Sequence, residues 1–371
     1  MRILHVVTNS DLGGAPSVVT ELSARAVRDG YACAVAATPG GPMWDKLDPR
    51  VERIPIPTMR RAVSLVRDGE TFLHLGCLYK EFSPDIVHVH SSKAGVLGRL
   101  AAITAGGGLW KRCVYTIHGF DTILKAHRAY VPLERFLSKH CGAVVPVSAY
   151  DERNAREAGL GGNIILIRNG VTDRRGTLSS DVIAMERLKN AKAKGRSVVL
   201  TIARLEPPKR ADLFLEIARI TPGAAFFWVG NVGAPEAGLP PGAKIPENVE
   251  FLGESPEAGT LANLCDVFML VSDYEGLPMS ILEAMSCAKP IVASNVGGIP
   301  EILGVRSARP DAGILVPNEP GAIGQELSRL LADPIVCEKL GIAARLNYEM
   351  EFTADKMWAG YKNLYTSLRT S

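Results

Sequence analysis

Two successive sets of short β-branched runs, spaced by helical patterns, predict an α/β protein of two Rossmann-like domains with parallel sheets. Three observations carry that expectation. The runs are apolar on both faces, as strands covered by helices on either side are. A length of 371 residues exceeds one ordinary core and suits two domains. Glycine- and proline-bearing turns recur after strands and before helices, the edge at which open α/β sheets hold ligands.

In the first half, strands are expected at 3–8, 32–37, 86–90, 113–117 and 143–147, with helices at 17–29, 93–105 and 133–139. The scheme repeats with strands at 198–202, 225–229, 249–252, 267–271 and 290–294. Helices at 212–220, 256–263, 278–287, 323–332 and 338–349 accompany them. A polar, turn-rich stretch over 168–176, followed by an amphipathic helix near 181–194, marks the join. The expected domains are therefore 1–172 and 173–350, with 351–371 as a terminal helix crossing back toward the first. In that helix Phe352, Trp358, Tyr361 and Tyr365 share a helical spacing that suits packing on the body. Tandem sheets of this kind are expected to converge their C-terminal strand ends on an interdomain cleft.

Hydrophobic content of 47% with 22% charged residues describes a globular chain, and no run reaches the roughly 18 apolar residues of a membrane span. The first seven residues read directly as a buried strand, without a signal-peptide pattern. Seven scattered cysteines with no C-x-x-C pair read as buried free thiols in a reducing cytoplasm. Residues 1–172 hold 21 basic against 15 acidic side chains, while 173–371 hold 21 against 24. The basic half suits an anionic membrane surface or an acidic acceptor, and ordinary surface variation accounts for it equally well. Nothing indicates a nucleic-acid partner.

The most informative segment is Tyr274-Glu275-Gly276-Leu277-Pro278-Met279-Ser280-Ile281-Leu282-Glu283-Ala284-Met285. Pro278 sits where a helix N1 residue would, which puts Glu275 on a loop and Glu283 inside the helix. Open N–H groups around Pro278 to Ser280 and the helix dipole make an anion site between the two carboxylates. Were both helical, eight residues would separate them by about 12 Å of rise, too far to act on one bond.

Other turns on the same edges supply candidates. Asn9-Ser10-Asp11-Leu12-Gly13-Gly14-Ala15-Pro16 joins a strand to a helix and lets the backbone approach a phosphate or sugar, without the dinucleotide fingerprint. His118, in Thr116-Ile117-His118-Gly119-Phe120-Asp121, ends a strand and points toward the expected cleft, whereas His5, His74 and His140 read as structural. His88 and His90 alternate on one strand face, and no further residue has the spacing to complete a metal site with them. Arg204-Leu205-Glu206-Pro207-Pro208-Lys209-Arg210 presents two cations, Arg204 and Lys209, suited to a diphosphate leaving group. The absence of D-x-D leaves no acidic holder for a magnesium nucleotide, so no metal is expected. Val229-Gly230-Asn231 and Ser294-Asn295-Val296-Gly297-Gly298-Ile299-Pro300-Glu301 add two glycine turns.

Taken in order, these motifs resemble the retaining GT-B glycosyltransferases of family 4, the group 1 glycosyl transferases, over nearly the whole chain. Gly13-Gly14, Thr116 to Gly119, Val147-Ser148, Arg168-Asn169-Gly170-Val171, Arg204 with Lys209, Val229-Gly230 and Phe251-Leu252-Gly253 carry the resemblance. So do Glu275-x7-Glu283 with its internal Gly276-Leu277-Pro278, and Gly297 to Glu301. The E-x7-E element is specific and the glycine pairs are not. The resemblance implies a GT-B fold, a nucleotide-sugar donor held by the C-terminal domain, UDP-linked by family frequency, and an acceptor held by the N-terminal one. It implies Glu283 on the ribose, Glu275 on the donor sugar and Arg204 with Lys209 on the diphosphate. The backbone of Leu277, Pro278, Met279 and Ser280 would face phosphate and sugar oxygens, with Gly13, Gly14 and Gly230 close to the nucleotide. His118 would contact the sugar near the reacting face. Lys209-Arg210 departs from the usual Lys-Gly, and Ala15-Pro16 from Ala-Glu, a difference that bears on acceptor contacts.

The segment His88-Val89-His90-Ser91-Ser92-Lys93-Ala94-Gly95 resembles members that assemble bacterial polysaccharide, implying a glycan or lipid-linked acceptor. Trp110-Lys111-Arg112 and Lys125, His127 and Arg128 then suit a membrane interface, or equally solvated loops. The expected activity is retaining, metal-independent sugar transfer in the cytoplasm, peripheral on the inner face of the plasma membrane. A non-catalytic nucleotide-sugar-binding protein, a phosphorylase or a UDP-sugar epimerase on the same scaffold are the alternatives; the missing fingerprint disfavours an oxidoreductase.

Overall fold

A computed structural model of the protein describes residues 1–120, 128–230, 239, 242–304 and 309–370. Asp121, Lys125, His127 and Asn231, named above, lie outside the described residues. The chain forms two compact units, Met1–Gly170 with the C-terminal stretch from Ala354, and Val171–Thr353.

Unit 1 runs β1 (Arg2–Val7), α1 (Gly14–Arg28), β2 (Ala32–Ala37), α2 (Met43–Lys46), β3 (Glu52–Pro55), α3 (Leu65–Phe82) and β4 (Ile86–His90). It continues through α4 (Ser92–Thr104), β5 (Cys113–Ile117), α5 (Val131–Ser138), β6 (Ala143–Pro146) and α6 (Ala149–Glu157). All strand pairs are parallel, in the order β3-β2-β1-β4-β5-β6. Alternation along β4 decides the two faces. Val87 and Val89 join Leu75, Leu78 and Tyr79 of α3 and Ala94, Ala101 and Ala102 of α4 in one core. Gly95 and Gly98 let α4 settle on the sheet, since a Cβ at either would lie 2.5 Å from the Tyr115 ring or from Val89. His88 and His90 turn to the other face.

Unit 2 holds α7 (Val182–Ala193), β7 (Ser197–Ile202), α8 (Ala211–Ile220), β8 (Ala224–Val229), β9 (Val249–Gly253), α9 (Ala258–Leu261) and β10 (Val267–Leu270). It closes with α10 (Met279–Ser286), β11 (Ile291–Ser294), α11 (Ile299–Ile302), β12 (Gly313–Val316), α12 (Pro320–Leu331) and α13 (Pro334–Glu351). Its parallel sheet is ordered β12-β11-β10-β7-β8-β9, the same doubly wound order as unit 1. Asp181 and Asp333 accept from backbone amides at the starts of α7 and α13, the expected work of Asp at an N-cap. The Phe214 ring meets Phe226 and Trp228 edge-on at 5.5 and 5.1 Å in the core. Val171 N donates to Phe352 O at 3.0 Å, so the segments entering and leaving unit 2 run side by side.

The terminal α14 (Ala354–Thr370) packs on unit 1 and covers the histidine face of the sheet with Tyr361 and Tyr365. All seven cysteines are free and five are buried, as their apolar runs suggest, while Cys77 on α3 is exposed and Cys337 half-buried. Among the described residues, no helix is long and apolar enough to cross a membrane.

Candidate active site

In both sheets the strand order reverses beside the first strand, between β1 and β4 in unit 1 and between β7 and β10 in unit 2. Neighbouring connections diverge there and leave a crevice at the C-terminal strand ends. Gly13 and Gly14 follow β1, and Arg204, Lys209, Glu275 and Glu283 follow β7 and β10, at these points; His118 follows β5 and Gly230 follows β8, one strand further out.

In unit 2 the loop after β7 is zipped onto the segment after β10. Arg210 N donates to Val271 O at 3.1 Å and Asp273 N to Pro208 O at 2.9 Å, with Lys209 bridging Ser272. The Pro207–Pro208 peptide bond is cis. This places the Lys209 ammonium in an ion pair with Glu275 Oε1, and Ser272 Oγ donates to the same oxygen at 2.6 Å. Both side chains are largely sequestered, 15% and 11% exposed, so screening weakens the pair less than at an open surface. Arg204 does not join them. Its guanidinium pairs with Glu206, and both side chains are 40% exposed. Arg210 is committed to Asp212 at 2.7 Å and Asp273 at 3.1 Å, and these hydrogen bonds, Asp212 foremost, raise its pKa above the ordinary arginine value.

Pro278 corrects a detail of the sequence reading. Its ψ of 119° is extended, so it is the N-cap of α10 and Met279 is the first helical residue. Proline's fixed φ fits either position, and ψ alone separates them. As proline has no N–H, the donors at this helix start are Met279, Ser280 and Ile281. Among the described residues, no side chain caps them. Leu277 and Met279 are buried and Ser280 half-buried. Glu283 lies on the second turn, its carboxyl carbon against α9, where a Cβ on Gly259 would approach within 2.6 Å.

The glycine turns differ in what they face. A Cβ on Gly297, at φ +57°, would lie 1.8 Å from Glu275 O, and Gly298 N donates to that same oxygen at 3.2 Å. A Cβ on Gly230, at φ +137°, would lie 2.1 Å from Ala203 O. These two glycines permit close packing between strand-end loops. Gly13 is unlike them: its N-capping conformation is extended, and a Cβ there would meet nothing within 4 Å. Gly14 begins α1, whose start has no side-chain cap.

Sequence reasoning missed the polar clamp beneath this edge. Ser272 N donates to Ser294 Oγ at 2.9 Å, Ser294 Oγ to Asn318 Oδ1 at 2.5 Å, and Asn318 Nδ2 to Ser272 O at 2.9 Å. It ties the ends of β10, β11 and β12 together under Glu275. Its only sequence signal was a polar residue at or just past the end of each buried strand, Ser272, Ser294 and Asn318.

In unit 1, His118 follows β5 in a turn pinned by α6, where Phe120 N donates to Asp151 Oδ1 at 2.7 Å and Ser148 Oγ to Asp151 Oδ2 at 2.9 Å. Register brings His5 beside His88, and His5, His88 and His90 offer ring nitrogens within 4.8 Å of one another. Spacing along one strand gave no sign of this third histidine. Both nitrogens of His88 are engaged, Nδ1 with Tyr365 OH at 2.5 Å and Nε2 with Thr116 Oγ1 at 2.7 Å. His90 and His118 stack at 5.5 Å between ring centroids. Desolvation lowers His5 to about 3 and His118 to about 4, and holds His88 and His90 well below the ordinary range, so these rings are neutral at physiological pH.

Residues 183–347 match the family of glycosyl transferases group 1, and residues 12–175 match glycosyltransferase family 4. The chain is 29% identical over 321 residues, 80% of each chain, to UDP-Gal:alpha-D-GlcNAc-diphosphoundecaprenol alpha-1,3-galactosyltransferase of Escherichia coli. It is 28% identical to the O-antigen biosynthesis glycosyltransferase WbnH of Escherichia coli, over 88% of this chain and 89% of that one. In fold it is similar to HepE of Anabaena, solved in complex with UDP-glucose, with a TM-score of 0.79 at 18% identity over the full length of both chains. Two doubly wound units with the Lys209–Glu275 pair and an uncapped helix start at one switch point, read with these matches, have one meaning: the chain belongs to the group 1, family 4 glycosyltransferases of GT-B fold, and it is an enzyme that transfers a sugar from a nucleotide-sugar.

Proposed function

We propose that the enzyme is a retaining, metal-independent transferase that moves a sugar from a UDP-linked donor to a lipid-linked glycan acceptor in cell-surface polysaccharide assembly. The observation that carries the donor assignment is the Lys209–Glu275–Ser272 cluster beside the open amides of α10. Lysine and the helix start offer positive charge where a diphosphate accumulates negative charge as it leaves. Both contacts to Glu275 fall on Oε1, which leaves Oε2 to accept from a sugar hydroxyl. Glu283 is assigned to the ribose, with Leu277, Met279 and Ser280 toward phosphate and sugar. Arg204 joins the diphosphate by exchanging Glu206 for it, Gly13 offers an unobstructed backbone approach, and Gly14 beside it is exposed. His118, neutral, is assigned to hydrogen-bond the sugar.

In the proposed step the bond from the acceptor oxygen to the anomeric carbon forms on the face from which the phosphate oxygen departs. The acceptor proton passes to that departing oxygen, so configuration is retained and no protein carboxylate is consumed. A carboxylate tied to an ammonium and a hydroxyl is a poor nucleophile, which supports Glu275 as a positioning acceptor. The test measures UDP release and product with Glu275→Gln and Lys209→Ala. Losses on the order of 100-fold or more are expected in each, as for lost groups that meet transition-state charge. Near-wild-type turnover in both rejects the assignment.

For the acceptor, unit 1 has a cavity of about 400 Å³ lined by Asn9, Ser10, Asp11, Thr38, Gly40 and the adjacent Arg60 and Arg61, where two cations outnumber one carboxylate. Beyond these arginines Val63, Leu65 and Val66 are 69%, 89% and 73% exposed. Two cations next to an apolar strip suit a diphosphate joined to a lipid, and a relative's name includes such an acceptor. Trp110 is a poorer candidate for the membrane, being half-buried against the unit 1 core with Lys111 over its ring at 5.7 Å. Sedimentation with vesicles containing anionic lipid is expected to pull down the wild type at low salt. Leu65→Ser with Val66→Ser is expected to lose that binding while keeping the fold. Equal binding by both removes this surface from the proposal.

A further inference from the structure

The Ser91-Ser92-Lys93 segment at the start of α4 reaches both walls of the unit 1 cavity. Toward one wall, Ser91 Oγ lies 2.7 Å from Thr8 Oγ1, and Ala94 N donates to that same hydroxyl at 3.2 Å. Thr8 leads directly into Asn9 and Ser10, which line the cavity. Toward the other wall, Lys93 Nζ donates to Ala62 O and to Asp68 Oδ1, the latter at 2.7 Å. Ala62 directly follows Arg60 and Arg61, the two cations of the cavity. Ser91 makes its contacts at a φ of +66°, a conformation that a non-glycine residue keeps only where its surroundings over-determine it.

Arg60 and Arg61 stand between two fixed points. On one side Met59 is fully buried, its N donates to Ile56 O at 3.1 Å, and Thr38 Oγ1 reaches its carbonyl. On the other side burial gives no help, since every residue from Arg60 to Val63 is exposed. There the chain is held through Lys93. Asp68 extends the hold into α3: its Oδ2 accepts from Ser64 N at 3.1 Å, and its own N donates to Ser64 O at 2.7 Å. The Lys93 and Asp68 side chains are only 13% and 17% exposed, so screening weakens the pair less than at an open surface. An ammonium has three N–H donors, and Lys93 commits two of them to Ala62 and Asp68. Among the described residues, those that line the cavity do not include Lys93.

We propose that Lys93 is a positioning residue: it latches the segment bearing Arg60 and Arg61 to the start of α4, so that both cations meet the acceptor's diphosphate already in place. A loop ordered before its ligand arrives spares the complex the entropy of ordering it. A loop that holds its bound shape about one-tenth of the time binds about tenfold more weakly. Lys93 thus acts on acceptor affinity through the arginines and does not itself touch the acceptor. The effect on binding rests on the assignment of this cavity to the acceptor made above; the latch does not.

The test compares the full-length wild type with Lys93→Met, which keeps an unbranched side chain and removes its donors. At low trypsin concentration, where cleavage follows the open population, cutting after Arg60 and Arg61 is mapped by mass spectrometry against sites in unit 2. The expected result is about tenfold faster cutting at Arg60 and Arg61 in Lys93→Met, with the unit 2 sites unchanged. Unchanged cutting there overturns the latch, and so does equal acceleration at all sites. Farnesyl diphosphate, an apolar chain on a diphosphate, serves as the binding probe, with UDP in excess to fill the donor site. Its dissociation constant is expected to rise about tenfold in Lys93→Met. Asp68→Asn, which removes the carboxylate from the pair, is expected to weaken the probe in the same way, and the double variant no further than the weaker single. Lys93→Arg keeps donors for both partners and is expected to bind the probe near the wild-type level. Weaker probe binding in Lys93→Met without faster cutting, and without an effect of Asp68→Asn, would make Lys93 a direct ligand contact and overturn the proposal. Faster cutting with unchanged probe binding, or no binding by the wild type, would remove the acceptor from this cavity and leave the latch standing.

Discussion

A glycine reports only that a Cβ is unwelcome, and its neighbours decide why. Gly297 and Gly13 look alike in sequence, each in a Gly-Gly pair between strand and helix. Gly297 clears space for the backbone of Glu275, while Gly13 faces open space. Gly297→Ala meets a backbone oxygen at 1.8 Å from a φ of +57°, where L residues pay about 1–2 kcal/mol, so the chain must shift at Glu275. The expected outcome is a modest fall in the urea midpoint and a loss of transfer on the order of 100-fold, the cost of an ångström-scale misplacement. Gly13→Ala, in an extended conformation, is expected to change stability by less than about 0.5 kcal/mol. A Gly297→Ala enzyme with normal turnover would show that Glu275 needs no such support. The sequence located these glycines correctly, and it could not say whether protein or ligand lay opposite, because that partner is set by tertiary contact.

At the level of elements, long periodic segments were legible and short edges were not. The strands that became β1, β4, β5, β7, β8 and β10 are continuous apolar runs buried on both sides. β3 and β12 are four-residue edge strands, ERIP and GILV, with half-buried or exposed positions that give no strong alternation. α3 escaped because Gly69 and Gly76 interrupt it and much of its first turn is exposed. Pairings distant in sequence were invisible too, and the Arg99–Glu134 pair is the strongest case. Arg99 Nη2 donates to both Glu134 oxygens at 2.9 and 2.7 Å, its guanidinium lies 4.0 Å over the Tyr115 ring, and both side chains are essentially inaccessible. Glu134→Ala leaves that arginine charged and buried, which is expected to cost about 3–5 kcal/mol in denaturant unfolding. Glu134→Gln keeps one acceptor and is expected to cost less. Equal small losses from both would mean that water or a neighbour already compensates Arg99.

Across the whole molecule, all seven histidines lie within residues 1–172 and unit 2 contains none, an asymmetry visible in the sequence whose consequence needs the structure. His5 titrates near 6.5 when unfolded and is lowered to about 3 by burial in the fold. Between those values the unfolded chain binds a proton that the native one does not, so stability rises with pH. It is complete above about pH 6.5 and falls as acid is added, by about 1.4 kcal/mol per pH unit for each histidine so buried. His88 and His90 are displaced in the same direction, which steepens the slope. Hydrogen exchange, corrected for intrinsic rates, is therefore expected to show β1, β4 and β5 losing protection between pH 7 and pH 5 while β7, β8 and β10 keep theirs. In His5→Gln that titrating group is gone, and unit 1 is expected to lose less protection over the same interval. Parallel loss in both units, or an identical slope in the variant, would place the acid sensitivity in carboxylates that the two units share and not in the histidine face under α14.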